Sequence, residues 1–250
     1  MHIDLNGDVG ESFGAFGIGT DEALIPSLTS ANIACGFHAG DPGVMRATVA
    51  LAHAHGTAVG AHPGFPDLVG FGRREIKAAP REVEDFVAYQ IGALAGIAAA
   101  QGVRLAHVKP HGALYNMAAR DAELAEAIAR AVAAVDRSLM LFGLPGSHSL
   151  EAARRHGVRA VSEAFADRAY RADGSLVPRS EPGAVIHDAE IVVARAVTIA
   201  REHAIVAADG TRVPLDVETI CVHGDTPGAA ALASRIRHTL TAAGIEVRAP

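Results

Sequence analysis

The chain has 250 residues, half of them hydrophobic, with no Trp and 4% aromatic residues, so its core must consist mainly of Ala, Val, Ile and Leu, as in helix-covered parallel sheets. A formal net charge of −6 without a basic cluster argues against nucleic acid as a partner. No apolar run approaches the roughly 18 residues of a membrane span, and no signal peptide is recognisable, so we expect a cytoplasmic chain without a membrane partner.

Short apolar runs alternate with longer helical stretches along the chain. The runs predict strands at residues 2–5, 31–35, 57–61, 105–109, 139–143, 158–163 and 218–222, with a short stub at 245–248. The intervening stretches predict helices at residues 21–28, 41–55, 80–101, 121–135, 147–156, 188–203 and 227–243. A long loop at 63–77, a polar excursion at 167–182 and a β-hairpin at 204–215 interrupt this alternation. No linker marks a boundary, so the expected architecture is one α/β domain over residues 1–250, a TIM-like (β/α) barrel.

Acids crowd together at the end of the first predicted strand. Asp4, Asn6, Asp8 and Glu11 lie within DLNGDVGE, and strand alternation would send the first three to one side. Clustered carboxylates raise each other's pKa or hold a cation between them, and either outcome serves general-base or metal chemistry. The alternative is a solvated turn, because Asn-Gly-Asp is also ordinary turn sequence.

Four histidines also follow predicted strands, and their strand ends would converge on one mouth of a barrel. His38 lies in CGFHAGD, His62 in GAHPGFPD, His111 in KPHGALYN and His223 in HGDTPG. The pattern favours a functional group, although a single histidine is more often a structural or surface residue. The two cysteines, Cys35 and Cys221, are too few for a disulfide framework, and we expect them to be reduced.

Basic residues near the same strand ends predict anion binding. Lys109 is one of only two lysines, and a compact ammonium at a strand end suits a phosphate, a carboxylate or a polarised carbonyl. Arg73 and Arg74 follow GFG, and Arg168 follows the acid Glu163 in EAFADRAY, a segment that predicts a lid. An ordinary surface loop remains the alternative for both segments. The chain has no Walker A sequence, so any nucleotide is not held by such a loop.

Six blocks carry a resemblance to a known family. The blocks are DLNGDVGESFG, NIACGFHAGDP, GAHPGFPDLVGFGRR, VKPHGALYN, EAFADRAY and VHGDTPGA. Together they resemble the 5-oxoprolinase A-subunit family, also called LamB/YcsF, from residue 4 to about residue 229. The resemblance implies a seven-stranded (β/α) barrel related to polysaccharide deacetylases. It also implies one subunit of an ATP-dependent enzyme that opens 5-oxo-L-proline to L-glutamate, with two other subunits as partners and ATP with Mg²⁺ as the cofactor of the complex.

The resemblance suggests roles for the residues at the mouth. Asp8 or Glu11 would activate water after ATP has phosphorylated the lactam oxygen, and Lys109 with His111 would stabilise the developing charge. The remaining candidates for substrate binding are Asn6, His38, His62, Arg73, Arg74, Glu163, Arg168 and His223. By analogy with the deacetylases, the acids after the first strand and His38 after the second would occupy metal or general-base positions. A separate hypothesis is that Asp8, His38 and His62 ligate a divalent metal.

Two other functions remain open from the sequence. The first is a metal-dependent amide or N-acetyl hydrolase that acts alone, without ATP. The second is a lactam-binding subunit with no chemistry of its own. The clustered acids argue against the second, because a pure binding site gains little from carboxylates that repel one another.

Overall fold

A computed structural model describes residues 1–179 and 181–250 of the chain. It contains ten strands: β1 (His2–Val9), β2 (Ser30–Ala34), β3 (Ala58–His62), β4 (Leu105–Val108), β5 (Met140–Gly143), β6 (Arg159–Phe165), β7 (Ala204–Val206), β8 (Arg212–Pro214), β9 (Thr219–His223) and β10 (Glu246–Val247). It also contains eight α-helices: α1 (Asp21–Leu24), α2 (Pro42–Ala54), α3 (Pro80–Ala99), α4 (Gly112–Arg120), α5 (Ala122–Val135), α6 (His148–Arg155), α7 (Ala189–Glu202) and α8 (Ala229–Ala242).

Seven parallel strands close into a barrel, as predicted. Strands β1 to β6 pair in chain order, β9 pairs with β6, and β9 also pairs with β1 to complete the ring. The helices surround the ring, and the apolar residues between helices and strands form the core. The predicted stub at 245–248 is the short strand β10, which pairs with the start of β1 outside the ring.

Strand β1 is longer than predicted, because the chain does not turn at Asn6-Gly7-Asp8. The strand continues to Val9, and the chain turns only at Gly10, whose φ is 67°. Gly7 lies inside the strand, and glycine suits this position because a Cβ here would lie 2.6 Å from a methyl group of Leu28. The turn interpretation of this segment is therefore wrong, and its polar side chains belong to the barrel.

Helix α4 was not predicted from the sequence. It begins at Gly112, directly after β4 and Pro110, and ends where Asp121 accepts hydrogen bonds from the amides of Glu123 and Leu124 to start α5. A nine-residue helix ending at a new N-cap has little periodicity of its own. The predicted hairpin at 204–215 is confirmed as the antiparallel pair of β7 and β8.

The predicted excursion at 167–182 carries two short bridges, one between Arg168 and Val185 and one between Tyr170 and Leu176. Among the described residues, no helix combines the length and apolar character that a bilayer crossing requires.

Candidate functional site

Alternate residues of β1 carry a column of polar side chains along the barrel interior. Asp4, Asn6 and Asp8 are all buried. The strand register places Asp4 beside Thr219 of β9 and Asp8 beside Asn32 of β2, so neighbouring strands add polar groups at the same heights. The interior of the ring is therefore polar along one side, and the acids predicted to cluster do so.

Asp4 forms the floor of this column. Its carboxylate accepts hydrogen bonds from the hydroxyls of Thr29 at 2.6 Å, Ser30 at 2.8 Å and Thr219 at 2.5 Å. Burial raises the pKa of Asp4 to about 6 despite these hydroxyl bonds. Asp4 does not line the cavity above it, so it supports the site from below.

A buried lysine network lies at the centre of the barrel; we use this name for Asn6, Asp8, Lys109, Glu163 and Cys221. The Lys109 ammonium lies 2.9 Å from Asp8 Oδ1, 2.9 Å from Glu163 Oε1 and 2.9 Å from Cys221 Sγ. Asn6 donates a hydrogen bond of 2.9 Å to Glu163 Oε1. Two carboxylates thus share one cation, and the reduced Cys221 contacts the ammonium instead of serving only as an apolar strand residue.

These contacts keep the central charges ionised. Burial would lower the pKa of Lys109, but Asp8 and the other acidic partners outweigh it and raise that pKa well above its usual range. Burial would raise the pKa of Asp8, but the neighbouring His62 and Lys109 hold it well below its usual range. Asn32 Nδ2 and Lys109 both donate to Asp8 Oδ1, so Oδ2 is left to face His62 Nε2 at 3.5 Å.

A histidine cluster lies beside the network; we use this name for Glu11, His38, His62 and His111. Glu11 Oε1 is 3.4 Å from His38 Nε2 and 3.5 Å from His111 Nδ1. His111 Nδ1 is 3.0 Å from His62 Nε2. The His38 and His111 rings are parallel within 2°, with their centroids 3.7 Å apart. The cluster combines three strand-end histidines with one acid that the sequence had suggested separately.

The loop after β3 fixes the position of His111. Phe71 adopts a left-handed φ of 54°, and its carbonyl oxygen lies 2.8 Å from His111 Nε2. Gly112 also has a positive φ, and a Cβ there would lie 2.6 Å from the Gly72 carbonyl oxygen. The chain therefore needs glycine next to His111 to bring this loop and the start of α4 together.

Several buried atoms of the histidine cluster have no hydrogen-bond partner. They are Glu11 Oε1 and both ring nitrogens of His38. Burial, reinforced by Asp8, raises the pKa of Glu11 well above its usual range. Burial, reinforced by the neighbouring histidines, lowers the pKa values of His38 and His111 well below theirs. Without a bound cation, the cluster therefore favours neutral groups.

A cavity of about 590 Å³ is lined by members of both the lysine network and the histidine cluster. Of the predicted site residues, those that line it are Asp8, His62, Arg73, Lys109, His111, Arg168 and His223. The predicted residues that do not line it are Asn6, Glu11, His38, Arg74 and Glu163. On the far wall His223 Nδ1 lies 3.0 Å from Asp167, which fixes the orientation of that ring. Asp8 and Lys109 thus belong to the lysine network and also line the cavity, and His62 and His111 of the histidine cluster line it beside them.

The three predicted arginines differ in what holds them. Arg73 pairs with Asp225 at 2.5 Å at the mouth. Arg74 is held by Asp67 and is absent from the cavity lining, so its predicted contact with substrate does not follow from this arrangement. Arg168 is buried and donates to the carbonyl oxygens of Ala184 and Val177, so it braces the segment after β6 as well as lining the cavity.

Sequence reasoning missed polar residues inside the strands. Asn32 links Asn6 and Asp8, and His107 lies 2.7 Å from the Asn32 side-chain oxygen. Each is a polar residue within an otherwise apolar strand, and that pattern could have identified them. Gly60 makes room for the buried ring of His107, because a Cβ there would lie 2.1 Å from His107 Nε2.

Two groups of described residues could hold a metal ion. One is the histidine cluster, whose four potential ligand atoms lie within 4.8 Å of one another, and the other is Asp8, Cys221 and His223. The sequence had combined Asp8 with His38 and His62, whereas the structure places these histidines with Glu11 and His111. The unpartnered atoms of the histidine cluster and its nitrogen-rich donor set fit a transition metal.

The whole chain is similar to proteins of one family. Residues 3–250 match the LamB/YcsF family. The chain is 58% identical over 250 residues to the 5-oxoprolinase A-subunit of Chloroflexus aggregans, covering 100% of this chain and 99% of that protein. It is 56% identical over 247 residues to the 5-oxoprolinase A-subunit of Bordetella pertussis, covering 99% of this chain and 98% of that protein.

Solved structures agree with the sequence comparison. A lactam utilization protein from Thermus thermophilus superimposes with a TM-score of 0.95 at 52% identity, with 100% of both chains covered. A polysaccharide deacetylase from Bacillus cereus superimposes with a TM-score of 0.53 at 15% identity, covering 100% of this chain and 91% of the other, which shows a shared fold alone. The chain belongs to the LamB/YcsF family.

Proposed function

We propose that this chain is the barrel subunit of a cytoplasmic, ATP-dependent 5-oxoprolinase, which opens 5-oxo-L-proline to L-glutamate together with two other subunits. The observation that carries the proposal is the Asp8 carboxylate, which lines the cavity, with one oxygen fixed by Lys109 and Asn32 and the other 3.5 Å from His62 Nε2. Relatives that are 55–58% identical over nearly their whole length are 5-oxoprolinase A-subunits, which supports the same substrate here.

A lactam is a poor electrophile because its nitrogen lone pair is delocalised into the carbonyl. Transfer of the ATP γ-phosphoryl group to the lactam oxygen would release ADP and give an imidate phosphate with a more reactive ring carbon. Water then adds to that carbon and gives its proton to Asp8 Oδ2, acting as the general base. The resulting tetrahedral species carries a hydroxyl, a phosphate and the ring nitrogen on one carbon.

The fate of this species depends on which group leaves. Loss of phosphate would restore the lactam and waste the ATP, whereas loss of the nitrogen opens the ring to an acyl phosphate. Asp8 returns the proton it has taken to the ring nitrogen, which leaves with the C–N electron pair, and the hydroxyl gives its own proton to the released nitrogen as the carbonyl of the acyl phosphate forms. A second water then hydrolyses the acyl phosphate to glutamate and phosphate.

The cations around the cavity would stabilise the negative charges of this sequence of steps. Lys109 lies beneath Asp8 and holds the negative charge of the centre in place. Arg73 and Arg168 line the cavity and provide guanidinium groups for the substrate carboxylate or the phosphate. The fixed positions of these groups before the reaction are the main electrostatic contribution expected from the barrel.

The test is glutamate formation from 5-oxoproline, with and without ATP, by this chain alone and then with its candidate partner subunits. Glutamate formed only with both ATP and the partners supports the proposal. No glutamate under any of these conditions contradicts it. Tight binding of 5-oxoproline without turnover in any combination would instead indicate a lactam-binding subunit without chemistry of its own.

The histidine cluster favours a second candidate function, a metal-dependent amide or N-acetyl hydrolase that acts without ATP. Its donor atoms are buried, nitrogen-rich and beside the cavity. Hydrolysis of a small amide by the chain alone, abolished by a chelator and indifferent to ATP, would support this candidate against the first.

A further inference from the structure

Two hydrogen bonds determine which nitrogens of the histidine cluster carry protons. His62 Nδ1 lies 2.6 Å from the Lys109 carbonyl oxygen, and His111 Nε2 lies 2.8 Å from the Phe71 carbonyl oxygen. A carbonyl only accepts, so both of these nitrogens must donate. In neutral rings the two remaining nitrogens, His62 Nε2 and His111 Nδ1, therefore carry no proton. They lie 3.0 Å apart with their lone pairs facing each other.

Facing lone pairs repel unless a positive charge lies between them. A proton there would make one ring an imidazolium and would leave Glu11 Oε1, 3.5 Å from His111 Nδ1, without a hydrogen bond. A metal ion would satisfy all three atoms together. Ligand atoms held at about 2.0–2.1 Å from a tetrahedral zinc ion lie roughly 3.3 Å apart, close to the 3.0 and 3.5 Å found here.

We infer that Glu11, His62 and His111 bind one transition-metal ion of the zinc type, with the fourth coordination position open to the cavity. His62 and His111 line that cavity. In each ring the N–H of the other nitrogen donates a hydrogen bond to a backbone carbonyl oxygen, as is usual for histidines that bind a metal. Two imidazoles and one carboxylate with an open position are typical of catalytic zinc sites and unsuited to Mg²⁺, which prefers oxygen ligands.

His38 has a different role in this assignment. Its ring is parallel to that of His111 at 3.7 Å, and a lone pair lies in the plane of its ring, so the two rings cannot both point at one ion. His38 Nε2 lies 3.4 Å from Glu11 Oε1. His38 is therefore a positioning residue that packs against the His111 ring and lies beside the Glu11 carboxylate without coordinating the ion.

The ion would lie next to Asp8 Oδ2, which is 3.5 Å from His62 Nε2. Its role in polarising the lactam or a water rests on the proposed function, but its binding does not. Binding is measured without turnover. Protein freed of metal by chelation is titrated with Zn²⁺ and with Co²⁺, and metal content is determined after gel filtration.

We expect one Zn²⁺ per chain retained after gel filtration, a visible ligand-field spectrum with Co²⁺, and no displacement by excess Mg²⁺. His62→Gln and His111→Gln should weaken Zn²⁺ binding at least about 100-fold, and His38→Leu about 10- to 100-fold, as expected for a group behind the ligands. His53→Ala, at an exposed histidine on α2, is the matched control and should bind normally.

Wild-type protein that retains no Zn²⁺, or His62→Gln and His111→Gln variants that bind it as tightly as the wild type, would overturn the inference. The wild-type stoichiometry needs no variant, so a variant that fails to fold leaves the test intact. Glutamate formation with ATP by a chain that binds no metal would overturn the metal site and leave the proposed function standing.

Discussion

The lysine network and the histidine cluster lie side by side, are equally buried, and differ in how their polar atoms are satisfied. In the network, Lys109 reaches Asp8 and Glu163 at 2.9 Å each, so opposite charges compensate within the chain. In the histidine cluster, two ring nitrogens face each other at 3.0 Å, and Glu11 Oε1 and both His38 nitrogens have no partner. The network has one unpartnered polar atom, Glu163 Oε2, whereas the histidine cluster has three.

This difference shows that neighbouring polar groups in one barrel can affect its stability in opposite directions. A buried network whose charges compensate one another holds its members in one arrangement, and removal of one charge leaves another uncompensated. Unpartnered buried groups cost folding free energy, and native proteins retain few of them. The unpartnered atoms of the histidine cluster therefore lower stability when no ligand is bound, whereas the ion pairs of the lysine network hold its member Asp8 in place.

The largest effect is expected from Asp8→Asn, because Asp8 belongs to the network and also faces the cavity. The amide keeps the shape but cannot accept the water proton, so turnover should fall about 10³-fold, within the usual range for a general base. The measurement is ATP-dependent glutamate formation in the assembled system. Thr198→Ala, on the outer surface of α7, is the control. Turnover close to that of the wild type would remove Asp8 from the mechanism.

Lys109→Met tests whether the network supports itself. The change leaves Asp8 and Glu163 as neighbouring buried acids without their cation, so the free energy of unfolding should fall by about 3–5 kcal/mol. Urea unfolding measures it. The double variant Lys109→Met with Glu163→Gln should recover part of the loss, because one of the repelling charges is gone.

The control for Lys109→Met is Arg81→Ala, which removes exposed ion pairs on α3 and should leave the unfolding midpoint nearly unchanged. Equal losses from both substitutions would mean that the buried network adds nothing beyond an ordinary surface pair.

Asp4, below the network, should make stability depend on pH. Its folded pKa of about 6 lies above the usual 3.8, so the folded state holds its proton more tightly than the unfolded state. That contribution is complete below pH 3.8 and disappears as the pH rises through 6. Relative to Asp4→Asn, the wild type should lose about 2 kcal/mol between about pH 4 and pH 7. Urea unfolding of both proteins across this range checks it, and a constant difference between them would contradict it.

The smallest effect is expected in the histidine cluster when no metal is present. His38→Leu replaces a ring with two unpartnered nitrogens by an apolar side chain of similar volume, so the free energy of unfolding should change by less than about 1.5 kcal/mol. Urea unfolding of chelator-treated protein measures it. A loss as large as that of Lys109→Met would mean that the two regions do not differ as described.

Much of the mouth was accessible from the sequence. Asp8, Lys109, His62 and His111 were each recognised because a polar residue follows a short apolar run, and parallel strand ends meet at one side of a barrel. Helix α4 was not predicted, because nine residues that end at the Asp121 N-cap resemble a loop with a helix after it.

The sequence by itself determined which polar side chains lie in or directly after the strands, since the position of each strand along the chain and the alternation of side chains within it are local properties. Only the tertiary structure decided which of them meet. Closure of β1 against β9 and the register across the ring bring Asp8, Lys109 and Glu163 together from distant parts of the chain. The Phe71 carbonyl, in the loop after β3, accepts a hydrogen bond from His111 and so orients its ring toward Glu11 and His62. The sequence does not show this contact, because the path of a loop depends on what it packs against.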